Sequence, residues 1–328
     1  MNLTGKNILF ISPEFFGVDH SIMNELKRRG ANVKWFDERS VKSSFGRAVN
    51  SISPMIFTTH SEKYYRRNIE LIEESIDVVL VIKGEMISKK CIKMFREKWP
   101  SAELILYFYD PVENIKGILD KVPLYDRVIS FEPKDCQKYG FEFRPLFSDF
   151  PQHDHEKVNN CNEYDICFYG TMYGDRFNVV YQMKKLCKEK HMKLYAFCFL
   201  RGKFMSLFYY LTNPGYRKLG TKAISFKPKS GSELAAIVNS SSIILDANDI
   251  KQQGLTIRTL ETLLAGKKMI TTNTDIERYE FYNPQNICIV DRNNLQVPDY
   301  FWDSQYERVD EEILIKYTAK GWVDDVFR

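Results

Sequence analysis

No Cys-x-x-Cys pair occurs in the 328-residue chain; its seven cysteines (Cys91, Cys136, Cys161, Cys167, Cys187, Cys198 and Cys288) are scattered and odd in number. That pattern excludes the common zinc frameworks and a disulfide scaffold, and it fits free thiols in a reducing compartment. No apolar run approaches the ~18 residues needed to cross a bilayer, and the opening MNLTGKNILFISPEFF lacks the basic region, long apolar stretch and cleavage site of a secretory signal. A cytoplasmic protein is therefore expected. No Gly-x-Gly-x-x-Gly follows the first apolar strand, which counts against nicotinamide redox chemistry. Asp-x-Asp, a short acidic motif that holds a divalent ion on a diphosphate, is also missing. A net charge of +4 is too small to imply nucleic acid, and no aromatic ribonucleoprotein motif is present.

What is there begins with length, which favours two domains, and with an aromatic content of 14% that leaves rings to spare for surface work. Asn7–Ser12 reads as a strand, followed by a helix from Asp19 to Arg29, a stop at Gly30 and a strand over Val33–Phe36. The alternation continues through strands at Asp77–Ile82, Glu103–Tyr109, Arg127–Phe131 and Glu142–Leu146, with helices near Ser88–Lys98, after Pro111 and over Lys134–Tyr139. Ser148–Glu163 is polar and aperiodic, the best linker in the chain. A second series then opens at Tyr164–Tyr169: helix Arg176–Lys190, strand Lys193–Phe199, an aromatic insertion, helix Ser232–Ser240, and strands at Ser241–Ala247, Lys268–Thr272 and Ile287–Val290. The expectation is α/β, with two Rossmann-like domains at 1–155 and 156–309 facing across a cleft, and a C-terminal helix at 310–328 packing back toward the first.

The richest stretch is Gln253 to Asn273. Gly254 closes a polar loop, and Ile257, Leu260 and Leu264 share one face of a helix that Gly266 ends. The unpaired N–H groups at such a helix start, at the C-terminal edge of a parallel sheet, suit phosphate. Arg258 and Glu261, three apart, can serve a diphosphate and a ribose diol, or pair with one another on the surface. Gly170-Thr171-Met172-Tyr173-Gly174-Asp175-Arg176 joins a strand to a helix; it is either a backbone cradle with Arg176 adding charge or a plain turn capped by Asp175. Phe226 and Lys227, before another helix, offer backbone groups beside a buried ring to a nucleobase edge, or else form a packing loop.

In the first half, Glu14, Asp19, His20, Lys83, Glu85 and Asp110 follow strand ends, where α/β sheets place their sites. A carboxylate there can act as general base, and Lys83 can hold an anion; caps and ion pairs are the competing roles. Two stretches combine cations with aromatics: Arg39–Asn68, and Arg201–Lys222 with five Lys/Arg and no acid. Each reads either as a solvated loop over a minor core or as a contact for the headgroups of an anionic membrane.

QGLTIRTLETLLAGKKMITTN resembles the nucleotide-sugar site of bacterial GT-B glycosyltransferases of the group 1 type, YDICFYGTMYGDRF the start of that family's C-terminal domain, ISPEFFGVDHSIMNELKRRGANVKWFDER its first βαβ unit and KYTAKGWVDDVF its closing helix. The resemblance is strongest to the spore-coat glycosyltransferase-like branch and to lipopolysaccharide and capsule enzymes. It implies a GT-B fold and a nucleotide-sugar donor, with Glu261 on the ribose and Gly170, Thr171, Arg176, Thr256 and Arg258 around the diphosphate; Phe226, Lys227, Gln253 and Gly254 complete the expected donor site. It also implies a glycan or lipid-linked glycan acceptor. The residues add, independently of the family, an expectation of peripheral contact with the inner membrane face, no nucleic acid, and transfer without a metal or other cofactor, arginines and a helix dipole standing in for the ion. Gln253 stands where many retaining members carry a first glutamate, which leaves the stereochemical outcome open; an inverting route would need a base from the first domain, for which Asp19, Glu85 and Asp110 are the candidates. A sugar-nucleotide epimerase and a silent nucleotide-sugar-binding scaffold are the alternatives.

Overall fold

A computed structural model describes residues 2–14, 17–40, 58–151 and 162–328. The chain forms two compact units, Met1–Phe147 with Tyr317–Arg328, and Ser148–Lys316.

The first unit holds β1 (Asn7–Ser12), β2 (Asn32–Asp37), β3 (Val78–Ile82), β4 (Glu103–Phe108), β5 (Arg127–Ser130) and β6 (Glu142–Phe143), all parallel, in the order β2-β1-β3-β4-β5-β6. Its central strands are apolar on both faces because both are covered. Leu9, Val79, Val81, Leu104 and Leu106 pack with α2 (Thr58–Glu70) and α3 (Lys89–Lys98), through Tyr65, Ile69, Ile92 and Phe95. On the opposite face, Tyr107 meets Trp322 of α12 (Ala319–Val326) edge-on at 4.9 Å, and Phe147 lies 5.4 Å from the same indole. Truncating the fully buried Trp322 to alanine would remove about 3–5 kcal/mol. Ion pairs fasten α12 further: Asp324 to Arg29 at 2.5 Å, beside the end of α1 (Val18–Arg28), and Asp325 to Arg144 at 2.7 Å.

In the second unit β7 (Tyr164–Thr171), β8 (Leu194–Phe199), β9 (Ile224–Ser225), β10 (Ser241–Asp246), β11 (Lys268–Thr271) and β12 (Ile287–Ile289) run parallel in the order β12-β11-β10-β7-β8-β9. Phe177, Val180 and Met183 of α5 (Arg176–Glu189) join Ile166, Phe168, Ile243 and Leu245 in one core. α8 (Gly231–Asn239) starts with a reciprocal Ser230–Glu233 capping box, and α9 (Ile257–Leu264) with the Thr256 hydroxyl accepting from the Thr259 N–H. Gly266, at φ 60°, supplies the left-handed residue that ends α9.

Several local expectations are corrected. Two 3-10 turns, Val112–Asn114 and Val122–Leu124, follow Pro111 in place of a helix, and the strand at Glu142 closes after Phe143, just ahead of Arg144-Pro145. The second basic stretch is two helices, α6 (Lys203–Thr212) and α7 (Pro214–Leu219). Within the first, α2 buries Tyr65, so part of that stretch is core; Lys42 and Arg47 lie outside the described residues, as do residues 152–161 of the Ser148–Glu163 segment. α4 (Pro133–Tyr139) belongs to the first unit, and α10 (Asp299–Asp303) and α11 (Glu311–Lys316) to the second.

Candidate functional site

The chain leaves β7 toward β8 on one side and later returns to β10 on the other, so β7 and β10 flank the switch point of the second sheet. At such a point the crevice beyond the strand ends accepts ligands. Gly170 and Thr171 end β7 there, Asp246 ends β10, and α5 and α9 start from the loops that follow.

Asp246 is fully buried and organises this edge. Its carboxylate accepts from Arg258 Nη1 at 2.8 Å, Thr259 Oγ1 at 2.8 Å and Thr256 Oγ1 at 3.1 Å. A buried carboxylate needs that full complement. Arg258 lies over the rings of Phe168 and Tyr169, 5.1 and 5.0 Å from their centroids. Burial opposes its charge, but Asp246, Tyr169 and Glu261 outweigh burial and hold the guanidinium above its ordinary pKa. Gly170 has φ 156°, a backbone that L side chains rarely adopt, and a methyl group there would also overlap Arg258 Nη2, so both conformation and space call for glycine. Glu261 Oε2 accepts from the Tyr169 hydroxyl at 2.5 Å. Burial pushes the Glu261 carboxyl up, against the downward pull of Tyr169 and Arg258. Arg258 and Glu261 thus form no surface pair with each other; each reaches instead for a strand residue of β10 or β7.

Arg176 has a different environment. It is 8% exposed, donates from Nη1 to the Thr171 carbonyl at 2.9 Å and stacks 4.0 Å from the Tyr173 ring. Its Nε has no acceptor, and no carboxylate pairs with it among the described residues. Burial, then the nearby charge of Arg258, depress its pKa. A buried cation in this state favours an anionic ligand. Asp175 makes no side-chain cap on α5; its carboxylate accepts from Arg292 Nη1 at 2.7 Å, while Arg292 Nη2 donates to Asn248 Oδ1 at 2.8 Å and Thr272 Oγ1 at 3.0 Å. Arg292 therefore ties together the loops after β7, β10 and β11.

Of the other donor-side residues, Gly254 is buried, and the Gln253 carbonyl accepts from Asn273 Nδ2 at 3.1 Å. Phe226 and Lys227 follow β9, the two-residue edge strand of the sheet, and Phe226 is 40% exposed rather than buried.

In the first unit Lys83 Nζ bridges two of the candidate bases, at 3.1 Å from Glu85 and 2.9 Å from Asp110. Burial opposes the Lys83 charge, yet Asp110 and Glu85 overcome it and raise its pKa. Glu85 and Asp110 keep side-chain exposures of 31% and 45%, whereas Asp19, in the first turn of α1, is 2% exposed. The loop that carries Glu85 is clamped twice. Lys121 Nζ donates to the carbonyls of Gly84, Glu85 and Ile87, and Glu38 accepts from the Met86 N–H at 2.7 Å. Burial pushes the Glu38 carboxyl up to about 7, against the Met86 hydrogen bond and the charges of Lys121 and Lys83.

Asp246, Tyr169, Thr259, Arg292 and Glu38 were not singled out in the sequence. One signal was available for Asp246, an acid ending an apolar strand ahead of Thr-x-Arg-Thr. No helix among the described residues is long and apolar enough to cross a membrane.

No protein-family model matches the chain, and no curated protein does. Solved structures do. An α-glucosyltransferase in complex with UDP and a 13-mer DNA containing a central A:G mismatch is 12% identical, with 98% of this chain and 100% of that one covered, at a TM-score of 0.59. The apo form of the lipopolysaccharide outer core galactosyltransferase WaaB is 12% identical over 98% and 99%, at 0.52. UDP-GlcNAc 2-epimerase from Neisseria meningitidis, bound to UDP-GlcNAc, is 10% identical over 98% and 98%, at 0.54. At these identities the likeness is one of fold: the chain has the GT-B fold, with a parallel six-stranded α/β sheet in each unit.

Proposed function

We propose that this protein is a glycosyltransferase that moves a sugar from a nucleoside diphosphate donor to a hydroxyl of a surface-polysaccharide acceptor, of the lipopolysaccharide, O-antigen or capsule class, in the cytoplasm at the inner membrane face. The observation that carries the donor half is Arg176, a buried guanidinium with an idle Nε and no carboxylate, at the switch point of the second sheet. The diphosphate lies against Arg176, the exposed Thr171 and the backbone of Gly170. Its charge is met by fixed cations, without a metal. Glu261 keeps Oε1 for the ribose diol while Oε2 holds Tyr169. Glu85 or Asp110 takes the proton of the acceptor hydroxyl; the oxygen bonds to the anomeric carbon as the bond to the diphosphate breaks, and the nucleoside diphosphate leaves.

A panel of nucleoside diphosphates and nucleotide sugars, read by thermal stabilisation, tests the donor reading. A ligand at 100 times its Kd adds about 2.7 kcal/mol to the folded state. If no member of the panel raises the melting temperature, the reading fails. The binding donor is then incubated with and without glycan acceptors. Transfer only with acceptor supports the proposal, isomerisation without acceptor assigns the chain to the epimerase class, and binding without consumption makes it a scaffold.

A further inference from the structure

In a helix of a globular protein, apolar residues at i, i+3, i+4 and i+7 ordinarily face the core. α6 reverses this. Phe204, Leu207, Phe208 and Leu211 have that spacing and are 80%, 56%, 49% and 68% exposed. The inward side is held instead by Tyr209, whose ring lies 4.9 Å from Phe177, and by Ser206, whose hydroxyl is 2.6 Å from that of Tyr216. None of the helix's residues is buried. Arg217 of α7 donates to the carbonyls of Tyr210 and Leu211, at 2.8 and 3.3 Å, and so fixes the outer end of the stripe.

The segment that carries the stripe is charged with one sign. Residues 190–232 contain nine Lys/Arg and no Asp or Glu. Arg201, Lys203, Arg217, Lys218 and Lys222, on and beside α6, are all exposed. A second copy of the chain would bring two such cationic fields together, which opposes pairing through this face. A planar anionic surface meets both features at once, taking the Phe/Leu stripe into its apolar margin and the cations into its headgroups.

We propose that α6 is a docking helix that seats the second unit on an anionic lipid bilayer, with Phe204, Leu207, Phe208 and Leu211 inserted at the headgroup boundary and Arg201, Lys203, Arg217, Lys218 and Lys222 on the lipid phosphates. This names the element that makes the membrane contact, and it stands or falls separately from the donor site. The full chain is floated with vesicles of phosphatidylcholine alone and with vesicles in which about a third of the lipid is phosphatidylglycerol. It rises with the anionic vesicles, not with the neutral ones, and added salt releases it. Phe204→Ser with Leu211→Ser lowers the bound fraction by about tenfold or more at an unchanged melting temperature, and Lys203→Glu with Lys222→Glu does the same while leaving the apolar stripe in place. Both double variants keep the nucleoside diphosphate thermal shift, so a failed donor reading cannot be mistaken for a failed docking reading. The proposal is overturned if the wild-type chain stays off anionic vesicles, if either double variant floats as well as wild type, or if the serine pair instead abolishes a concentration-dependent dimer or a complex with an acidic protein.

Discussion

Replacing Arg176 with methionine separates a ligand-binding cation from a structural one, because the two roles predict opposite results. In the unliganded protein the guanidinium is buried without a carboxylate, beside Arg258, and removing it relieves a desolvation cost of several kcal/mol. Against that stand the lost hydrogen bond to the Thr171 carbonyl, about 1.5–3 kcal/mol for a charged donor, and the lost stacking on Tyr173 at 4.0 Å, about 2 kcal/mol. These nearly cancel, so the unliganded melting temperature shifts by no more than the few degrees that correspond to about 1 kcal/mol. Binding of a nucleoside diphosphate has no such compensation. Loss of one charge-assisted contact weakens it by about 1.5–3 kcal/mol, or about 10- to 150-fold in Kd. Urea denaturation and isothermal calorimetry on the same preparation measure both quantities. If Arg176→Met costs more than about 3 kcal/mol of folding stability and leaves Kd unchanged, the cation belongs to the fold and the donor assignment is wrong.

Glu261→Gln keeps an acceptor for Tyr169 but removes the charge offered to the ribose, so nucleotide affinity falls and discrimination against the 2′-deoxy ligand is lost; a calorimetric titration of both ligands checks this, and retained discrimination removes Glu261 from the ribose. Arg258→Met leaves Asp246 buried with only two hydroxyl donors and lowers folding stability by about 3–5 kcal/mol in urea denaturation. A merely slowed, fully stable enzyme would contradict that account. Glu38 makes stability fall as pH rises from the ordinary carboxyl value to about 7, because in that window the unfolded chain has released a proton that the folded one retains. Glu38→Gln flattens this part of the profile between pH 5 and 7.5, and an unchanged slope would place the titration elsewhere.

How far the sequence could be read depended on whether neighbours in the chain were neighbours in space. NILFIS, VVLVI and SSIILD are nearly continuous apolar runs because helices cover both faces of their sheets, and they announced their strands. Ser88, Thr256 and Gly266 marked helix ends through local hydrogen bonds and a left-handed turn. The partner of Arg258 was not readable in the same way. Glu261 is its neighbour in the helical pattern, but Asp246, twelve positions earlier, is brought to it by the register of β10. The Arg201–Lys222 stretch left two roles open, a loop over a minor core or a headgroup contact, because only the fold shows that Phe204, Leu207, Phe208 and Leu211 of α6 point outward. Phe226 misled similarly: a ring before Lys-Pro looks packed until the edge position of β9 is known.

The first unit is not finished by its own first 147 residues, since α12 supplies Trp322 and the carboxylates of Asp324 and Asp325 to it. During synthesis the chain emerges N-terminus first, so the half made earliest waits without α12 while the whole of the later half is translated. The ribosome thus delivers the second unit, continuous in sequence, in a position to mature before the first. A stop codon or protease cut ahead of Tyr317 would spare the unit next to the lesion and undo the one farthest from it along the chain.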